Sequence, residues 1–161
     1  MNPFRIGYGY DVHQMADGES LWLGGVQIKH DKGTVAHSDG DVLIHALCDA
    51  MLGAVKLRDI GFHFPDNSAD YKNIDSKKLL AKVKDLIESK GYVLGNADIT
   101  IAAQKPKLMN HIPAMEKALT EVLQSDAESI SIKATTTEKL GFEGREEGIS
   151  AHAVVLLLKK T

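Results

Sequence analysis

A chain of 161 residues is long enough for one domain with a full hydrophobic core, and 43% hydrophobic with 25% charged residues is the balance of a globular protein rather than a disordered one. A formal net charge of −3 leaves no electrostatic footprint for nucleic acid or an anionic membrane, so any phosphate must be bound by local arrangement. The single cysteine, Cys48, excludes an internal disulfide and fits a reducing compartment. The longest apolar run, Ala153 to Leu158, is too short to span a bilayer, and no signal or transit pattern opens the chain, so a cytoplasmic enzyme is expected.

Phe4, Ile6, Tyr8, Tyr10 and Val12 alternate with Arg5, Gly7, Gly9, Asp11 and His13. This period of two predicts a strand over about 4–13, apolar on one face and carrying Asp11 and His13 side by side on the other. Gly7 and Gly9 leave that second face bare, open to close approach of a ligand. Leu21 to Ile28 reads as a hairpin broken by Gly24-Gly25. A greasy helix is expected over about 39–56, started by Ser38 or Asp39. Asp59 to Asn67 is too rich in turn formers to be regular. A second helix follows Asp75 or Ser76, with Leu79, Leu80, Val83, Leu86 and Ile87 on one face and Gly91 as its stop. A strand from Tyr92 to about Gln104 is ended by Pro106, and a third helix over about 111–124 carries Ile112, Met115, Leu119 and Val122. Ser129 to Thr135 and Ile149 to Leu158 complete the strands. The order β-α-α-β-α-β-β implies an α+β fold, a four-stranded mixed sheet with helices on one face. The last strand is apolar on both faces while one helix layer covers only one, so a homo-oligomer is expected.

Asp41, His45 and Asp49 recur every four residues, a polar stripe on the first helix. A histidine alone on an apolar helix is most often a hydrogen-bonded core residue, and Asp-x-His on a strand is common. Together they put acids and imidazoles on small or apolar faces, where charge needs a partner or a metal. Asp11, His13 and His45 offer one carboxylate and two imidazoles, enough to hold a divalent ion with one position open. A structural zinc site would take four protein ligands, so the open position points to chemistry. The same donors suit Zn²⁺, Mn²⁺, Co²⁺ or Fe²⁺. Asp41 and Asp49 are expected to orient His45 or its neighbours.

Two further segments look functional. Ala134-Thr135-Thr136-Thr137-Glu138-Lys139-Leu140-Gly141-Phe142 leaves a strand with three hydroxyls, an acid and a base. Hydroxyls and free N–H groups bind phosphate oxygens, and a carboxylate can hold Mg²⁺ over a diphosphate, although β-branched residues running into a turn look the same. Gln104-Lys105-Pro106-Lys107-Leu108-Met109 ends a strand with two cations, suited to a phosphate or a base, or to a solvated loop.

With Gly9 to His13, Ala36 to Asp41, Asp59-Ile60-Gly61, Phe64-Pro65-Asp66, Pro106-Lys107 and Lys133 to Phe142, the chain closely resembles the 2-C-methyl-D-erythritol 2,4-cyclodiphosphate synthase family over essentially its whole length, as a single domain over 1–161. The resemblance implies a homotrimer with active sites between subunits. It also implies a substrate carrying CDP, 4-diphosphocytidyl-2-C-methyl-D-erythritol 2-phosphate, whose 2-phosphate attacks its own β-phosphorus and expels CMP. By the same resemblance Asp11, His13 and His45 hold Zn²⁺, Glu138 holds Mg²⁺ or Mn²⁺, and His37 and Thr136 stabilise the transition state. Ser38 lies beside the phosphates, and Asp59, Ile60, Gly61, Phe64, Pro65 and Asp66 line the sugar region. Ala103, Gln104, Lys105, Pro106, Lys107, Leu108 and Met109 build the cytosine pocket with Ala134 and Thr135, while Thr137 and Phe142 belong to the same substrate-binding set. Arg145 and an acid near Glu147 would border a central cavity able to hold an isoprenoid diphosphate. This chain departs from relatives in having Tyr8 and Tyr10, and a more acidic turn through Glu146. His63 and His152 fall in no matching motif and are not expected to be ligands. A metal-dependent phosphohydrolase and a non-catalytic trimeric nucleotide or isoprenoid sensor are the competing readings.

Overall fold

The structure, a computed structural model, describes residues 2–65 and 72–161. Its elements are β1 (Phe4–Asp17), β2 (Leu21–Leu23), β3 (Val26–Ile28), β4 (Lys32–Thr34), α1 (Val42–Ala54), α2 (Ile60–His63), α3 (Ser76–Ser89), β5 (Tyr92–Ala102), α4 (Ile112–Leu123), β6 (Ile130–Thr135), α5 (Gly141–Gly144) and β7 (Gly148–Lys159). The main sheet has five strands in the order β4-β1-β7-β5-β6, not the four expected. It is mixed: β6 runs parallel to β5, with α4 in the crossover, and the other neighbours are antiparallel. The extra strand, β4, pairs with a continuation of β1 at Met15↔Thr34 and Asp17↔Lys32. Lys32-Gly33-Thr34 shows no alternation, so its pairing rests on backbone bonding rather than a side-chain pattern.

The hairpin β2–β3 is separate, closed at Leu23↔Val26 by Gly24 and Gly25, both at positive φ as a tight primed turn requires. It is fastened to α1 by Asp41, whose carboxylate accepts from the N–H groups of Gly24, Gly25 and Ile44. Asp41 is therefore the N-cap of α1, and the helix starts at Val42, later than Ser38 or Asp39 would have it. Burial pushes the Asp41 carboxyl up, against the pull of these three donors.

The sheet's two faces differ. α1 is buried nearly all round, between β1 and β7 below and α3 beside it. A Cβ added at Gly7 would meet the Ala50 carbonyl oxygen at 1.8 Å, and one at Gly9 the Ala46 carbonyl oxygen at 1.9 Å. The glycine face of β1 is thus the inner face, bared for a helix and not for a ligand as expected. On the opposite face Phe4, Ile6, Tyr8, Tyr10 and Val12 stand exposed, Ile6 by 67%. β7 repeats the division: Ile149, Ala151, Ala153, Val155 and Leu157 are buried, while Val154 and Leu158 are open. No described helix is long and apolar enough to cross a membrane.

Candidate metal centre and nucleotide pocket

Asp11 and His13 leave β1 on the inner face, where α1 passes over it, and His45 comes down from the first turn of α1. One ligand atom from each lies within 4.8 Å of the other two. His45 Nδ1 is 3.1 Å and His13 Nδ1 is 3.3 Å from Asp11 Oδ2. Tetrahedral donors on bonds of about 2.0–2.1 Å sit ~3.4 Å apart, so the Asp11–His45 spacing suits a divalent ion and the trio, within 4.8 Å, would hold one after a small closing motion. His13 Nδ1 is also 2.8 Å from the Val12 carbonyl oxygen; donation there leaves Nε2 with the lone pair that binds a metal. Burial pushes the buried His45 imidazole down, but the hydrogen bond and charge of Asp11, with the charges of Asp41 and Asp39, outweigh it and raise its pKa. The site is electrostatically set for a cation.

The outer nitrogen of His45 finds its partners elsewhere than expected. His45 Nε2 lies 3.0 Å from Ser76 Oγ and 3.3 Å from Ser38 Oγ. Ser76 in turn donates to Asp39, from its hydroxyl at 2.5 Å and from its backbone N–H at 2.8 Å. Asp41 caps the helix instead, and Asp49 accepts from the Ile60 N–H, anchoring α2. Burial raises the Asp49 carboxyl against that bond. Ser76 is the residue that sequence reasoning missed. It was legible only as a helix start, and its pairing with Asp39 spans 37 positions.

The triad opens into a cleft of about 340 Å³ lined by His37, Ser38, Ile60, Gly61 and Phe64 among others. Asp59 does not line it but caps α2 by accepting from the Phe62 N–H. Pro65 is exposed beside Phe64, and Asp66 lies outside the described residues. A second, more apolar pocket of about 470 Å³ gathers Ala103, Gln104, Pro106, Lys107, Leu108, Met109, Ala134, Thr135 and Thr136. Lys105 points elsewhere, to Glu146 at 3.2 Å. His37 and Thr136 therefore stand in different cavities, which share no lining residue.

The register explains the separation. Asp11 pairs with Ala151, Ala151 with Ile101, and Ile101 with Ala134. The two sites thus sit on one row across the sheet, three strand spacings or roughly 14 Å apart.

Beyond β6 the chain turns sharply, with Glu138 and Lys139 both in the left-handed region. Thr136 Oγ1 accepts from the Glu138 N–H, Gln104 Oε1 accepts from the Lys139 N–H, and the Thr137 hydroxyl donates to the Leu140 carbonyl. The turn projects Glu138 into solvent. Phe142 packs so close to Gly148 that a Cβ there would touch its ring at 2.9 Å. Arg145 is held by Glu147 through two 3.1 Å bonds.

A family model described as the YgbB family matches residues 4–158. A curated 2-C-methyl-D-erythritol 2,4-cyclodiphosphate synthase of Porphyromonas gingivalis is 63% identical over 156 residues, 97% of this chain and 96% of that protein. Among solved structures, the bifunctional IspDF from Campylobacter jejuni aligns with a TM-score of 0.93 at 45% identity, covering 97% of this chain, which spans 42% of that longer one. The CDP complex of Plasmodium falciparum IspF aligns with a TM-score of 0.87 at 38% identity, covering 100% of this chain and 99% of that one. On this agreement in sequence and fold, the chain belongs to the YgbB family, that of the 2-C-methyl-D-erythritol 2,4-cyclodiphosphate synthases it matches.

Proposed function

We propose that this enzyme converts 4-diphosphocytidyl-2-C-methyl-D-erythritol 2-phosphate into 2-C-methyl-D-erythritol 2,4-cyclodiphosphate and CMP, in the non-mevalonate supply of isoprenoid precursors. An oxygen of the 2-phosphate attacks the β-phosphorus of the same molecule, the bond from that phosphorus to the α-phosphate bridge breaks, and CMP leaves with the bridging oxygen. Both reacting groups are anionic. Zn²⁺ at Asp11, His13 and His45, and Mg²⁺ or Mn²⁺ at Glu138, would supply the positive charge that offsets their repulsion. The observation that carries the reading is the triad, three converging donors at the wall of a cleft that also presents His37 and Ser38.

The chain's own residues do the rest. His37 and Thr136 donate hydrogen bonds to charge developing on the transferred group. Ile60, Gly61 and Phe64, with Asp59 behind them, wall the methylerythritol end, with Pro65 and Asp66 next in the chain. The pocket from Ala103 to Met109, with Ala134 and Thr135, takes the cytosine. Thr137 and Phe142 shape the turn beside it. Holding the folded substrate meets the entropy of ring closure on binding, a contribution on the order of 7–11 kcal/mol to the barrier. Water must be excluded, since hydrolysis is the competing reaction.

The working unit is a homotrimer of one-domain subunits. Two observations support it: the apolar outer face of β1 and β7, which a second subunit would cover, and the ~14 Å between triad and nucleotide pocket within one chain. Pairing the triad of one subunit with the nucleotide pocket of the next closes that gap. An isoprenoid diphosphate in the central cavity would have to share Arg145 with Glu147. The cytoplasm suits the single buried thiol of Cys48.

Turnover in H₂¹⁸O should yield CMP and cyclic diphosphate in equal amounts with no label in either. A linear product carrying ¹⁸O would reject cyclisation in favour of a phosphohydrolase, and binding without turnover would leave a sensor.

A further inference from the structure

We propose that Asp39 and Ser76 are positioning residues that fix the tautomer of His45 and make Nδ1 its metal-facing atom; this rests on the reading that Asp11, His13 and His45 hold a metal. Ser76 has one hydroxyl proton, and it goes to Asp39, whose nearer carboxyl oxygen accepts it at 2.5 Å while the Ser76 N–H takes the other oxygen at 2.8 Å. Ser76 Oγ therefore has only lone pairs left for His45, and the contact at 3.0 Å requires a proton on Nε2. Ser38 Oγ, at 3.3 Å, offers the same N–H a second acceptor.

With Nε2 held as a donor, Nδ1 is the nitrogen left to exchange its proton for a metal. In the metal-free site that proton bonds Nδ1 to Asp11 Oδ2 across 3.1 Å. A metal takes the place of the proton between the same two acceptors. The pair Asp39–Ser76 thus reserves Nδ1 for the metal by keeping the other nitrogen occupied. The relay is built to stay put. Ser76 is fully buried at the head of α3, and Asp39 is further held by the Asp41 N–H at 3.1 Å. It also ties the ligand of one helix to the first residue of another, so the metal position is set by the packing of α1 against α3.

The direction of the chain distinguishes this from simple support. Asp39→Asn keeps the shape but can offer an N–H to Ser76. The Ser76 proton then turns to Nε2, and the ring shifts to the Nδ1–H form that cannot bind a metal there. Ser76→Ala only removes an acceptor and leaves Ser38. Zn²⁺ affinity, measured by competition with a chelator, is expected to fall about 10- to 100-fold in both variants. The isosteric Asp39→Asn should be at least as weak as the truncation; a purely steric role predicts the reverse order. Nitrogen-15 spectra of the metal-free wild-type protein, followed up in pH until the ring loses one proton, should show His45 Nε2 keeping its proton, a readout that survives if either variant fails to fold. Unchanged affinity in both variants, or an Nε2 that becomes the unprotonated, pyridine-type nitrogen in the wild type, would overturn the relay. Wild-type protein that holds no Zn²⁺ against the chelator would instead overturn the metal reading on which it rests.

Discussion

The triad and the turn through Glu138 are both proposed to bind cations, yet they are built in opposite ways. Asp11, His13 and His45 converge at the junction of β1 and α1, and His45 is braced from behind by the fully buried Ser76. Glu138 stands exposed on a turn whose two consecutive left-handed residues, Glu138 and Lys139, carry no glycine to ease them. That turn leans on its own hydroxyls and on one bond from Gln104. The difference teaches where binding energy is stored. The first site is preassembled by the core and costs little to load; the second holds backbone strain, on the order of 1–2 kcal/mol per left-handed residue, that ligand contacts can offset. Under the proposed function, this contrast predicts a tight resident ion at the triad and a looser one, arriving with the substrate, at Glu138.

The largest effect should come from Asp11→Asn. It keeps the side chain's shape and removes the anionic donor that faces both histidines. Turnover should drop on the order of 10³-fold or more, about 4 kcal/mol of lost charge stabilisation, with bound metal lost in elemental analysis. A variant that kept both would break the claim that the triad is the catalytic centre.

A middling effect tests preassembly. Gly9→Ala would drive a methyl into the Ala46 carbonyl, so α1 must lift from β1. The unfolding free energy, from denaturant midpoints, should fall by about 2–3 kcal/mol, and metal affinity should fall with it, because His45 moves with the helix while Asp11 stays on the strand. Loss of stability with unchanged metal affinity would show that the site tolerates a displaced helix.

The smallest effect concerns the strained turn. Lys139→Gly removes the left-handed penalty and should raise stability by about 1 kcal/mol, read from the same midpoints. A destabilised variant would mean that the turn is not strained, and the contrast between the two sites would weaken.

Several features were legible because they are local. The hairpin turn at Gly24-Gly25, the Asp75 cap and Gly91 stop of α3, and the extents of β5, β6 and β7 lie within a residue or two of the pattern that predicts them, since caps, turns and periodicity act over a few neighbours. The triad was legible for a related reason. Residues two apart on a strand share a face, and one histidine on an apolar helix has few other uses beside them. β4 was not legible, because three residues without alternation pair only where β1 offers a backbone edge.

Chemistry and periodicity are written in the order of residues, and by itself that order determined the donors Asp11, His13 and His45, the family and the elements that carry them. Only tertiary structure decided which face of β1 turns inward. Alternation marks two faces but does not rank them, and the aromatic face that looks like core is open in the single chain, while the glycine face lies under α1. Tertiary structure likewise decided that Ser76 and Asp39, rather than Asp41 and Asp49, stand behind His45. Hydrogen-bond partners far apart in sequence are chosen by how helices pack, and no short-range pattern encodes that choice.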